Sequence, residues 1–219
     1  MDEHGMMDRR VNRGQFLRSS AKGGLALALG GSVLASVQGV AFAAGGVSDT
    51  STLQAAYAAE SLAVHVYEGV LANFHSFKSP KLMNIDYFRA ALENEKAHKA
   101  FLGAALGAKA PKGLHFKIPA SALTTGQSVL NFGVALERAF VETYLGAVES
   151  LSSADLKVVA AKVAANEATH FSFFDAAAGG HGVLPSLAPT VTIAQAATVL
   201  TPYIPNLSAS LGAAGFPNA

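Results

Sequence analysis

The chain has 219 residues, 51% of them hydrophobic and 14% charged, with a net charge of +1 and no cysteine. That apolar content is enough for a buried core and rules out an intrinsically disordered chain. Without Cys there are no disulfide staples, thiolate metal sites or cysteine nucleophiles, and with no Lys/Arg cluster among aromatics there is no nucleic-acid surface.

Residues 1–43 read as a targeting segment. Arg9, Arg10, Arg13, Arg18 and Lys22 form a basic region, Gly23 to Val40 is an uncharged apolar stretch, and Ala41-Phe42-Ala43 has the small-residue cleavage pattern. Cleavage after Ala43 leaves 11 basic and 12 acidic residues, a net charge of −1. The stretch NRGQFLRSSAKGG resembles a twin-arginine export signal: Arg13 and Phe16-Leu17-Arg18 fit, while Gly14 stands at the second arginine position and the Arg9-Arg10 pair lies upstream. The general secretory route is the alternative, as is an uncleaved membrane anchor. The expected location is periplasmic or extracellular, with membrane contact only through this segment.

Residues 44–52 read as a linker of small residues, and 53–180 as four helices, each with an apolar stripe at the 3.6-residue period. The first stripe is Leu53, Ala56, Tyr57, Glu60, Val64, Tyr67, Leu71 and Phe74, ending before Pro80. The second is Phe88, Ala91, Leu92, Glu95, His98, Leu102 and Leu106. The Pro- and Gly-containing stretch that follows is too long for a tight turn and reads as a crossover. The third stripe is Leu130, Val134, Glu137, Val141, Tyr144 and Val148; the fourth is Leu156, Val159, Val163, Glu167, His170 and Phe174, with Ser153 as its N-cap. The tail, 181–219, offers one short helix, Thr192 to Leu200. The predicted fold is all-α: a four-helix bundle with a long crossover between helices two and three and a short fifth helix.

Two segments repeat. NEKAHKAF, from Asn94, and NEATHFSF, from Asn166, both read Asn-Glu-x-x-His-x-x-Phe. ESLAVHVYEGV, from Glu60, matches ERAFVETYLGA, from Glu137, in Glu, Tyr and Gly. Each of the four glutamates, Glu60, Glu95, Glu137 and Glu167, falls in the middle of an apolar stripe. Unpaired carboxylates in a dry interior are prohibitive, and no Lys or Arg lies centrally in the stripes; Lys96, Lys99 and Arg138 are turned aside by the helical step. Two divalent cations balance four carboxylates. Glu and His at i, i+3 share a helix face, so Glu95 with His98 and Glu167 with His170 offer oxygen and nitrogen to neighbouring ions. Glu60, Glu95, His98, Glu137, Glu167 and His170 make a complete di-metal ligand set, and its mixed O/N character suits two Fe or Mn ions.

With these residues placed, the sequence resembles the ferritin-like superfamily of rubrerythrins, bacterioferritins and manganese catalases. It is most similar to exported bacterial ferritin-like and desiccation-related proteins over about residues 50–205, through the Leu-Glu, Tyr-x-Gly and Glu-x-x-His spacing of the second half and the TIAQAATVLTPYI tail. The resemblance implies a di-iron or di-manganese centre acting on O₂ or H₂O₂, in iron oxidation or peroxide handling under stress. It leaves two alternatives open: a non-catalytic stress-protective bundle, and an iron-storage cage; a homo-oligomer stays open as well. Relatives often carry a second Glu three residues after the first, where this chain has Ala63. Tyr67 and Tyr144 are either partners of the ligand carboxylates or plain core tyrosines. His65, Glu68, Glu93, Glu142 and Glu149 are expected at the surface, and His75, His115 and His181 lack ligand spacing.

Overall fold

The computed structural model describes residues 47–77 and 83–211. Six helices follow in order: α1 (Val47–Ala72), α2 (Ile85–Leu106), α3 (Gly126–Ser150), α4 (Ala154–Ala178), α5 (Ile193–Leu200) and α6 (Leu207–Leu211). Regular structure among the described residues is all helical, and no helix among them is long and apolar enough to cross a membrane. The targeting segment, 1–43, lies outside the described residues.

The helix starts are written in the local sequence, because the first turn of a helix leaves backbone N–H groups that a short polar side chain can satisfy. Asn84 accepts from the backbone of Asp86 and Tyr87 at the head of α2. Thr125 and Ser128 form a reciprocal capping box on α3, and Thr192 and Gln195 form another on α5. Ser153 caps α4 as the sequence predicts. Gly179 closes α4 in the left-handed region, φ 104°.

The α1 helix begins at Val47, so residues 47–52 belong to the bundle and not to the expected linker. The reason is Asp49. It is buried, and its carboxylate accepts from Ser152 N (2.8 Å), Ser152 Oγ (2.8 Å) and Ser153 N (3.1 Å), tying the first turn of α1 to the α3–α4 turn. Burial alone pushes its pKa up, but these hydrogen bonds outweigh burial and hold it below the ordinary value.

The hairpins α1–α2 and α3–α4 are the main packed pairs, and the segment between Leu106 and Gly126 crosses from one to the other. A single stripe proves too narrow for α1. Ala58, Ala59, Leu62, Ala63, Val66 and Val70 are buried together with the expected face, because the tail covers the helix's outer side with Leu200, Ile204, Leu207 and Leu211. The α1 helix is apolar over most of its circumference and buried there, with His65 and Glu68 left exposed on the remainder. The tail therefore holds two helices, of which α6 was not expected from the sequence. It is pinned to the crossover by Lys117 N to Tyr203 O (2.9 Å), His115 N to Asn206 Oδ1 (2.9 Å) and Asn206 Nδ2 to Gly113 O (2.8 Å).

The apolar interior forms two clusters. One includes Leu62, Tyr67, Phe88, Leu130, Phe140 and Phe174; the other is built on Ala56, Leu102, Tyr144, Leu151, Leu156 and Val163. On α2 and α4 the glutamate falls between the two clusters, and on α1 and α3 it is flanked by buried apolar residues, so the polar layer is enclosed by apolar packing.

Candidate metal centre

Glu60 from α1, Glu95 from α2, Glu137 from α3 and Glu167 from α4 are completely buried, His170 is 2% exposed, and the His98 side chain is 14% exposed. The helical period brings Glu95 and His98 to one face of α2, and Glu167 and His170 to one face of α4. Packing the two hairpins then makes all six side chains converge.

Two groups result, each with ligand atoms lying within 4.8 Å of one another: Glu60, Glu95, Glu167 and His98, and Glu95, Glu137, Glu167 and His170. Glu95 and Glu167 belong to both. His98 Nδ1 lies 2.9 Å from Glu167 Oε1, 3.5 Å from Glu60 Oε2 and 3.7 Å from Glu95 Oε2. His170 Nδ1 lies 2.8 Å from Glu95 Oε1, 3.1 Å from Glu167 Oε2 and 3.7 Å from Glu137 Oε2. The two shared carboxylates thus turn one oxygen to each histidine, as bridging ligands would, while Glu60 and Glu137 each serve one half.

The tyrosines of the repeat cross between hairpins. Tyr67 of α1 donates to Glu137 Oε1 at 2.8 Å, and Tyr144 of α3 donates to Glu60 Oε1. Both hold a terminal carboxylate by one oxygen and leave the other facing inward, which favours the orienting role over that of plain core residues.

In this arrangement the ligands compete for protons. Burial pushes Glu60 up to about 7, against the pull of His98, and the neighbouring Glu95 adds to the rise. Burial likewise drives Glu137 well above its ordinary range, with Glu167 and Glu95 adding repulsion that the His170 contact only partly offsets. For Glu167 burial raises the pKa, but the hydrogen bond with His170 and the close approach of His98 overcome it and the net shift is downward. Burial would lower both histidines, yet the carboxylates around them win and both are raised, His98 chiefly through Glu60 and His170 chiefly through Glu137. Burial and the adjacent glutamates keep Tyr67 and Tyr144 protonated.

Five carboxylate oxygens in this layer, Glu60 Oε2, both oxygens of Glu95, Glu137 Oε2 and Glu167 Oε1, are buried with no hydrogen bond. Among the described residues no Lys or Arg pairs with them. Lys96 pairs with Glu68 and Glu93, Lys99 lies over the Tyr57 ring, and Arg138 pairs with Glu142. Orphaned inward-facing carboxylate oxygens beside two imidazoles suit hard or borderline divalent cations, so the residues present fit a pair of them. Ala63 is buried and adds no carboxylate.

The sequence matches the ferritin-like domain family over residues 48–180, from the first turn of α1 to just past the end of α4. The chain belongs to that family, and its fold is the all-α ferritin-like bundle. Comparison with curated proteins gives no match.

The other polar residues fall mostly where the sequence puts them. His65, Glu68, Glu93 and Glu149 are exposed. Glu142 is a partial correction: its side chain is only 17% exposed, because Arg138 pairs with it and the tail crosses beside it, Val191 N donating to its carbonyl. Three residues of the centre escaped the sequence reading. Asn94 Nδ2 lies 3.3 Å from His170 Nε2, Asn166 Oδ1 is buried without a partner, and so is the Tyr87 hydroxyl, whose ring stacks on Phe173 at 3.4 Å and meets His170 edge-on. The signal for the asparagines was present, since each directly precedes the repeated glutamate. Tyr87 has Val159 at the matching place in the second half, so the repeat gives no sign of it.

Proposed function

We propose that this chain binds two Fe or Mn ions at the six-residue cluster and uses them on O₂ or H₂O₂, as an exported protein of iron oxidation or peroxide handling. The observation that carries this reading is the set of four buried carboxylates with inward-facing oxygens and no cationic side chain but histidine beside them. Two divalent ions bring the charge that offsets four carboxylates, and the imidazoles then serve as neutral ligands. Glu60, Glu95, Glu167 and His98 would hold one ion; Glu95, Glu137, Glu167 and His170 the other.

Such a pair supplies the electrons exchanged with dioxygen or peroxide. The protein's part is structural and electrostatic. Tyr67 and Tyr144 fix the terminal carboxylates, the apolar residues packed around the layer exclude water, and the two shared glutamates would hold both ions. His98 is the most accessible of the six side chains, which makes its side of the bundle the favoured route for ions and small oxidants. Export rests on the basic, apolar and Ala-Phe-Ala pattern of residues 1–43.

Metal analysis of protein purified without added metal tests this directly. About two Fe or Mn per chain, lost in Glu95→Ala and Glu167→Ala, is the expected outcome; a folded chain that takes up none reduces the cluster to part of a helical scaffold. Oxygen uptake with Fe(II), set against H₂O₂ decomposition by the Mn-loaded protein, then chooses the chemistry. The mass of the secreted chain decides export, with a mature N-terminus at Ala44 expected.

A further inference from the structure

Where the apolar packing meets the polar layer there is a small cavity of about 10 Å³, close to the least that holds one small molecule. Val66 and Val70 of α1, Phe88 of α2, Val129 and Leu136 of α3 and Phe174 of α4 line it, and all six are buried. Its polar wall is Glu137 with Tyr67, whose hydroxyl donates to Glu137 Oε1 at 2.8 Å. The cavity therefore touches the layer at a terminal carboxylate, on the half that holds His170.

The walls are stiff. Tyr67 and Phe88 have ring centroids 5.9 Å apart, Phe88 and Phe174 5.6 Å, and Tyr67 and Phe174 6.1 Å. Gly133 of α3 lets the Phe174 ring approach; a methyl group there would lie 2.3 Å from it. Interlocked rings of this kind cannot relax to fill a gap beside them. The lining is also particular to this half of the repeat. By the offsets that align Glu60 with Glu137 and Glu95 with Glu167, the places of Val129, Val70 and Phe88 are taken in the other half by Thr52, Ala147 and Ala160, all buried. The bulky apolar wall is thus no by-product of the repeat. The two halves differ in access as well, since the His98 side chain is 14% exposed and that of His170 2%.

We propose that this cavity is a binding site for one small apolar molecule, dioxygen, held against Glu137 on the His170 half of the layer. The inference rests on the metal-binding reading above and narrows the oxidant reached by this path to dioxygen. A buried water needs two to four polar partners, and here the Tyr67 hydroxyl is already committed to Glu137. Hydrogen peroxide carries two O–H groups, and an O–H taken into apolar surroundings without a partner costs several kcal/mol. Dioxygen has no donor to satisfy and loses nothing on leaving water for a wall of valine, leucine and phenylalanine.

The test puts dioxygen itself into the full chain, freed of metal and labelled with ¹³C at its valine and leucine methyls. Dioxygen is paramagnetic, so under pressure it speeds the relaxation of methyls that it touches; dinitrogen at equal pressure is the control. The methyls of Val66, Val70, Val129 and Leu136 are expected to gain several-fold more than those of Leu151, Leu156 and Val163, which are buried in the second cluster. Val66→Ile and Val129→Ile each add one methylene to the wall and are expected to remove most of that excess. Val70→Ala widens the space and is expected to raise it. An excess spread evenly over both clusters, one that both isoleucine variants leave intact, or a water molecule seen by nuclear Overhauser contacts to the same methyls overturns the gas site. With iron bound, Val129→Ile is expected to slow Fe(II) oxidation by O₂ several-fold and to leave oxidation by H₂O₂ unchanged; O₂ rates equal to those of the wild type overturn the delivery role. The relaxation measurement needs no metal, so the two readings fail separately: a chain that takes up neither Fe nor Mn but shows the localised excess loses the metal centre and keeps the gas site.

Discussion

Each glutamate of the polar layer has its own set of neighbours, and these give the four residues unequal weight. Glu95 and Glu167 each turn one oxygen to His98 and the other to His170, whereas Glu60 faces only His98 and Glu137 only His170. Losing a shared carboxylate damages both halves. Glu95→Gln and Glu167→Gln are therefore expected to abolish uptake of both ions, while Glu60→Gln and Glu137→Gln reduce it to about one per chain; metal analysis after gel filtration reads the difference. Equal losses in all four variants would contradict the division into shared and terminal ligands. The tyrosines act through the terminal pair. Tyr67→Phe and Tyr144→Phe each leave a buried carboxylate oxygen without its donor, and each is expected to cost about 1–3 kcal/mol in urea denaturation of the metal-free protein.

Among the elements, the two glycines of the repeat have parted company. A methyl group on Gly146 of α3 would lie 2.0 Å from the carbonyl oxygen of Val191, because the tail crosses the helix there. At Gly69 of α1, its counterpart, a methyl group meets nothing within 4 Å. Substitution should thus give opposite signs at equivalent positions. Gly146→Ala is expected to displace the segment before α5 and destabilise the fold by about 1–3 kcal/mol, with faster proteolysis of the tail as a second readout. Gly69→Ala is expected to stabilise by about 0.5–1 kcal/mol, through better helix propensity alone. The tail explains both the partial burial of Glu142, beside Val191, and the wide buried face of α1, under Leu200, Ile204, Leu207 and Leu211: in both cases it covers a surface the bundle alone would leave open.

For the molecule as a whole, the polar layer sets how stability responds to pH when no metal is bound. Glu60, Glu137, His98 and His170 all have raised values, so the folded chain holds protons that the unfolded chain releases. Their contribution is complete below the unfolded values, near 4.5 for glutamate and 6.5 for histidine, and is lost as pH rises through the folded ones, which for Glu60 is about 7. Glu167 and Asp49 have lowered values and act in the opposite sense, losing their contribution as pH falls into the carboxylate range. The metal-free chain is accordingly expected to be most stable near about pH 5 and to lose melting temperature steadily toward pH 8. If the cluster binds metal as proposed, divalent ions would displace the same protons, so loading with Mn(II) or Co(II) is expected to reverse that slope, with proton release on binding measurable by calorimetry in buffers of different ionisation enthalpy. A metal-free melting temperature that climbs from pH 5 to 8 would contradict this balance.

The sequence by itself determined the four long helices, the long crossover and the six converging side chains. Those features rest on local rules: apolar residues recur at the helical period, Ser and Thr mark helix starts, and a carboxylate in the middle of an apolar stripe has few physical remedies. The internal repeat doubled each signal. Only the tertiary structure decided which glutamates are shared between the histidines, that the tyrosines and Asn94 reach across to the other hairpin, that Tyr87 joins the layer, and that a two-helix tail covers α1. Each of these depends on which helix lies beside which, and at what height. Periodicity names the face of a helix, but the partner across that face is set by packing between segments distant in the chain.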